Sequence, residues 1–140
     1  MTGRLDMSLA NDVREVARVI DTLEEFGAVE GISPAEALRF GLALDELITN
    51  IIAHGLAGSS GGVISLSIEH RDGALRAELA DNGPPFDPLH AAAEIPSGPV
   101  EERKVGGIGL GLVKSVLDRL DYRRDGGFNR LHMEMKLKSA

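Results

Sequence analysis

Residues 42–55 read Leu-Ala-Leu-Asp-Glu-Leu-Ile-Thr-Asn-Ile-Ile-Ala-His-Gly. From Ala37 to Ile52 the segment is apolar nearly all round at helical spacing, which predicts a helix buried on several sides. Into it are set Glu46 and Asn50, four residues apart and so stacked on one face, roughly opposite Leu44, Ile48 and Ile51. A carboxylate and a carboxamide among aliphatics are costly unless something satisfies them. A cation shared with water and phosphate would do so, and oxygen donors with retained waters suit magnesium. The plainer alternative is a solvated face with Asp45 and Thr49 as its neighbours.

Upstream, Ser33-Pro34-Ala35-Glu36 is a strong helix start: serine as cap, proline in the first turn, glutamate reaching back. The helix it opens is expected to run to Ala53 or His54 and stop at Gly55. Before it, residues 4–10 alternate as a strand, and a helix over about 12–29 follows, with Asn11 as its expected cap. Arg14 and Arg18 lie one turn apart on that helix, where either an acidic partner groove or plain solvent would suit them.

Downstream, 63–68 alternates as a strand, Arg71-Asp72-Gly73 reads as a hairpin turn, and 74–80 is expected as the returning strand. Asp81-Asn82-Gly83-Pro84-Pro85-Phe86 then closes the second strand. A carboxylate at a strand end can accept from an exocyclic amine, and Gly83 lets backbone approach a flat ring; an ordinary Asx turn has the same residues. About 25 residues without clear period follow, the kind of stretch that serves as a lid. Gly106-Gly107-Ile108-Gly109-Leu110-Gly111 precedes an amphipathic helix expected over about 108–120. Free amides at a helix start beside small residues make a phosphate site, while a flexible hinge is the bland reading. The spacing is neither GxGxxG nor a P-loop, since Leu112 stands where each pattern needs another residue. Strands near 120–124 and 130–138, around Gly126-Gly127, finish the chain. The order β-α-α-β-β-(lid)-α-β-β implies an α/β two-layer sandwich: a mixed, mainly antiparallel sheet with helices on one face.

Bulk properties narrow the function. The chain has 140 residues, enough for one domain with a real core, here expected to span 1–140. It has no cysteine, which excludes disulfides, thiolate catalysis and cysteine-held zinc. Fifteen basic and 22 acidic residues give a net charge of −7, which argues against direct nucleic-acid or membrane-surface binding. No apolar run reaches a membrane span and residues 1–10 lack a signal-peptide pattern, so the expected location is cytoplasmic.

From Glu46 to Gly111 the three motifs occupy 66 residues, and together they resemble the GHKL ATPase superfamily, the Bergerat fold. Glu46 and Asn50 fit its N box, Asp81-x-Gly83 its first glycine box, Gly107-x-Gly109-x-Gly111 its second, and about 87–106 its ATP lid. More narrowly the chain is similar to the anti-sigma-factor serine kinases, on LALDELITNIIAHG, DNGPPFDP, VGGIGLGLVKSVLDRLDYRR and the late Asn129-Arg130-Leu131. The resemblance implies ATP and Mg²⁺ as cofactors, with Asn50 on the metal, Asp81 and Gly83 at the adenine, and Gly107, Gly109 and Gly111 around the phosphates. Arg103 or Lys104 would meet the γ-phosphate, and Glu46 would be the base toward a serine hydroxyl. It also implies three partners: an anti-anti-sigma (STAS-domain) protein, a sigma factor and a second copy of the chain in a homodimer. Two activities fit, a kinase that also sequesters a sigma factor and a nucleotide-binding partner switch without phosphotransfer. In one respect the sequence departs: where many members carry Thr or Ser near the adenine Asp, Phe128-Asn129 stands here, so no hydroxyl contact is expected.

Overall fold

A computed structural model describes residues 3–55, 62–88 and 105–138. The elements are β1 (Gly3–Leu9), α1 (Glu15–Glu30), α2 (Pro34–Asn50) with a π-helical turn (Ile51–Gly55), β2 (Ile64–Arg71), β3 (Ala74–Asp81), α3 (Val105–Val116), β4 (Arg119–Asp125) and β5 (Phe128–Lys136). The five strands form one sheet in the order β1-β2-β3-β5-β4. All four pairings are antiparallel, so the expected mixed sheet is purely antiparallel among the described residues. Two-residue turns make two of these pairs. Asp72 and Gly73 (φ 53° and 72°), and Gly126 and Gly127 (φ 60° and 82°), supply the paired left-handed residues that tight hairpins need.

Period-two alternation divides the sheet into an apolar face and a charged face. On the apolar face Met7, Leu66, Leu79 and Leu131 lie in register across four strands, and all are buried. Phe40, Leu44, Leu47 and Ile48 of α2 join this core and are fully buried, as are Val19 and Leu23 of α1. Each such side chain contributes about 1.5–3 kcal/mol of burial. On the other face Arg4, Glu69, Arg76, Glu134 and Arg119 form an alternating charge row, with Arg76 and Glu134 at 2.7 Å. The broad trough on that open face is lined by these mutually paired groups, and it lies on the side of the sheet away from the three motifs. No helix among the described residues is long and apolar enough to cross a membrane.

Local expectations differ from the structure in three places. Asn11 does not cap α1. Asp12 accepts from the Arg14 backbone N–H at 2.9 Å, and the turn this makes delays the helix to Glu15, with Arg14 at the N-cap and no side-chain cap bond. Helix α2 is not apolar to its full circumference in a buried sense, since Leu38 and Leu42 are exposed. Helix α3 begins at Val105, so Gly106, Gly107, Gly109 and Gly111 lie within it rather than before it. It ends at Val116 because the Asp118 N–H donates to Glu134 O at 2.8 Å, which hands the chain to the sheet.

Candidate functional site

Two bonds fix which end of the sheet each motif occupies. Helix α2 starts with Ser33 as cap, its Oγ accepting from the Glu36 N–H at 3.2 Å. Glu36 in turn accepts from the Lys138 N–H at 2.8 Å, just beyond the end of β5. Seventeen helical residues rise about 25 Å, close to the length of an eight-residue strand. The C-terminal end of α2, with Glu46 and Asn50, therefore reaches the opposite end of the sheet, where β3 finishes at Asp81. Helix α3 runs the other way. Its C-terminal side is tied at Glu134 and Lys136, so its glycine-bearing start also faces the Asp81 end. The fold thus brings Glu46, Asn50, Asp81, Gly83, Gly107, Gly109 and Gly111 to one end of one face. Arg103 and Lys104, and the 87–106 segment apart from its first two and last two residues, lie outside the described residues.

Adjacent pairs on α2 show what is unusual there. Thr49 Oγ1 donates to Asp45 Oδ1 at 3.1 Å, an ordinary satisfied i,i+4 pair. One residue on, Asn50 is 4% exposed, and its Nδ2 has no partner among the described residues. Glu46 is half-buried, and burial first, then the charge of Asp45, push its carboxyl above the ordinary carboxylate range. A π-helical turn follows Asn50 directly, and such turns recur at functional sites. Among the described residues, a Cβ built on Gly111 meets no atom within 4 Å.

Asp81 sits in the sheet row Leu9, Ile64, Asp81, Asn129, Arg124, the last row before the site. It is 3% exposed, and its Oδ1 accepts from the Gly83 N–H at 2.9 Å and from Asn129 Nδ2 at 3.0 Å. Its Oδ2 takes no bond from the described residues. The sequence marks Asn129 as part of a family-like ending and as standing where no hydroxyl contact is expected, but gives it no role; it is 2% exposed and holds the loop after β3. Its Nδ2 also donates to Pro84 O at 2.9 Å, while its Oδ1 accepts from Tyr122 Oη at 2.6 Å and the Phe86 N–H at 3.2 Å. Arg124 completes the group, donating to Gly83 O at 2.7 Å and Asn129 Oδ1 at 3.3 Å. A signal for Asn129 existed. It falls on the inward parity of β5 with Leu131, Met133 and Met135, so a polar residue there had to be partnered. Arg14 and Arg18 are already engaged, each at 2.6 Å, with Asp12 and Glu15.

Comparisons with known proteins bear on the family and the fold. Residues 9–135 match the family described as histidine kinase-like ATPase domain. The serine/threonine-protein kinase BtrW of Bordetella bronchiseptica is 31% identical over 96 residues, which are 67% of this chain and 68% of that protein. The serine-protein kinase RsbW of Listeria innocua is 30% identical over 92 residues, 61% of this chain and 57% of that protein. The chain therefore spans little more than half the length of that relative. In fold it is similar to the crystal structure of the RsbU and RsbW domains of Rv1364c from Mycobacterium tuberculosis, with a TM-score of 0.69 at 18% identity over 96% of this chain and 32% of that one. With a match over nearly its whole length, and with the three motifs at one end of the expected sheet, the chain belongs to the histidine kinase-like ATPase domain family.

Proposed function

We propose that this chain is an ATP-dependent serine protein kinase and anti-sigma factor. It phosphorylates a STAS-type anti-anti-sigma protein and sequesters a sigma factor when that protein is phosphorylated. The observation that carries the reading is the buried Asn50 amide nitrogen, without a partner among the described residues, one helical turn from a carboxylate whose proton affinity burial has raised. The names of the relatives, serine and serine/threonine kinases, support the same activity.

The residues present fit a magnesium nucleotide. A carboxamide oxygen is a suitable ligand for a hard cation that keeps most of its waters, and the adjacent Nδ2 can donate to a phosphate oxygen or metal-bound water. Bound magnesium would supply charge neutralisation for the triphosphate. The free first-turn amides of α3, at Gly106 and Gly107, would hold the phosphates, and Gly109 and Gly111 would let them approach the helix, with Arg103 or Lys104 of the lid closing on the γ-phosphate. Asp81 would accept from the adenine amine beside Gly83. Glu46 would take the proton of the incoming serine hydroxyl as its oxygen bonds to the γ-phosphorus and ADP leaves with the broken bond's electron pair. Its raised proton affinity makes it a stronger base than a fully solvated carboxylate.

Incubating the protein with γ-labelled ATP, Mg²⁺ and a STAS-domain protein tests the proposal. Label should appear on a serine of that protein. A stable complex with no transferred label would leave a nucleotide-binding partner switch instead of a kinase. A homodimer is part of the proposal, and sedimentation of the pure chain should report twice the monomer mass.

A further inference from the structure

We infer that Asn129 is the positioning residue of base recognition, acting through Asp81 and never touching the base itself. This rests on the nucleotide reading above. A carboxamide has two hydrogens and two lone pairs to offer. Here the hydrogens go to Asp81 Oδ1 and Pro84 O, and the oxygen receives Tyr122, Phe86 and Arg124. Asn129 is saturated, so it has no donor left for a ligand.

Its orientation is also determined. The Phe86 backbone N–H and the Arg124 guanidinium can only donate, so the carboxamide oxygen must face them and the nitrogen must face Asp81. Two N–H groups then point at Asp81 Oδ1, which accepts both. Oδ1 is committed to the loop and to β5, which leaves Oδ2 as the acceptor for an exocyclic amine. The same side chain closes the loop that carries Gly83, because Pro84 and Phe86 are tied to it on either side of Pro85. Selectivity for a 6-amino purine thus depends on a residue of β5, 48 positions along the chain from the Asp81 that reads the base.

The test pairs a change in the protein with a change in the ligand. Equilibrium binding of ATP and of purine riboside 5′-triphosphate, which lacks only the 6-amine, is measured with Mg²⁺ for the wild type, Asn129→Ala and Tyr122→Phe. The wild type should prefer ATP by about 10- to 100-fold, the worth of one hydrogen bond to a charged acceptor. In Asn129→Ala the preference should fall to about threefold or less, while affinity for the amine-free analogue stays within about threefold of wild type. Tyr122→Phe removes one of three donors and should lower the preference about two- to fivefold, again without moving the analogue. Equal weakening of both ligands in these variants would mean a merely structural role and overturn the inference. Unchanged preference would overturn it too. If Asn129→Ala does not fold, Tyr122→Phe decides by the same criterion. A wild type that binds neither ligand overturns the nucleotide reading together with this one, a pattern distinct from bound ATP with no effect of Asn129.

Discussion

Helix α2 buries a polar side chain near each end, and the two are treated in opposite ways. Glu36, 7% exposed, receives the Ser33 hydroxyl at 3.0 Å and the Lys138 N–H at 2.8 Å. Asn50, 4% exposed, has an amide nitrogen to which no described group bonds. Burial is nearly equal, so exposure does not distinguish them; satisfaction does. A buried polar group that is fully bonded stabilises one arrangement of the chain, whereas one left open costs about 1–3 kcal/mol and invites a ligand. The satisfied end ties the helix to the last strand. The open end is where the three sequence motifs converge.

The largest effect belongs to Glu46, one turn before Asn50 at the open end. Glu46→Gln should reduce serine phosphotransfer by about 10²- to 10⁴-fold, with ATP affinity within about threefold of wild type, read by label transfer and by titration. It should also reveal what the open end costs. Burial raises the folded-state proton affinity of Glu46 above its ordinary value of 4.5, so its contribution to stability is present below that value and is lost as pH rises through the raised one. Glutamine cannot ionise. The variant should therefore melt above wild type at pH 8 and level with it near pH 3. A melting temperature that drops at pH 8 would contradict the desolvation assigned to this carboxyl.

Next in size is the direct contrast between the two ends. Asn50→Ala should lower ATP affinity by about 100-fold or more and remove its magnesium dependence, yet change stability by no more than about 1 kcal/mol, because it deletes an unsatisfied group. Glu36→Ala should do the reverse. It removes the carboxylate that Ser33 and Lys138 use, for a loss of about 2–3 kcal/mol in denaturant unfolding, and leaves the nucleotide affinity of the folded protein unchanged. If both variants lost stability alike and neither lost affinity, the two ends would be equivalent and the site would lie elsewhere.

How much of this was legible in the sequence follows the range of the interactions. The capping box at Ser33, the two hairpin turns and the alternation of β2 are set by neighbours in the chain, and they read correctly, as does the placing of β3 and β5 as strands. Glu46, Asn50 and Asp81 stood out because each is polar in an apolar stretch. Asn129 did not read as a site residue, since its partners Asp81 and Pro84 are 48 and 45 positions away and are set by the β3–β5 register. Arg124 is hidden for the same reason, its bond to Gly83 O spanning 41 positions. The start of α1 was misplaced by a local competition, in which Asp12 captured the Arg14 N–H before Asn11 could act as cap. The start of α3 was misplaced because glycine's low helix propensity suggests a boundary, and packing of α3 against α2 outweighs that preference.

Those glycines give the smallest and most discriminating change. Gly111 lies within the helical part of α3, and a Cβ there would stand in open space. By propensity alone, Gly111→Ala should stabilise the helix by about 0.5–1 kcal/mol, since glycine in a helix interior is worse than alanine by that amount. Among the described residues, no neighbouring atom requires glycine at this position. If a triphosphate lies against it, the added methyl should weaken ATP binding about tenfold while thermal stability rises. Stability and affinity would then move in opposite directions, as they do for Asn50 and not for Glu36. Gain in stability with unchanged ATP affinity would place the phosphates away from Gly111 and confine the binding amides to the first turn of α3, at Gly106 and Gly107.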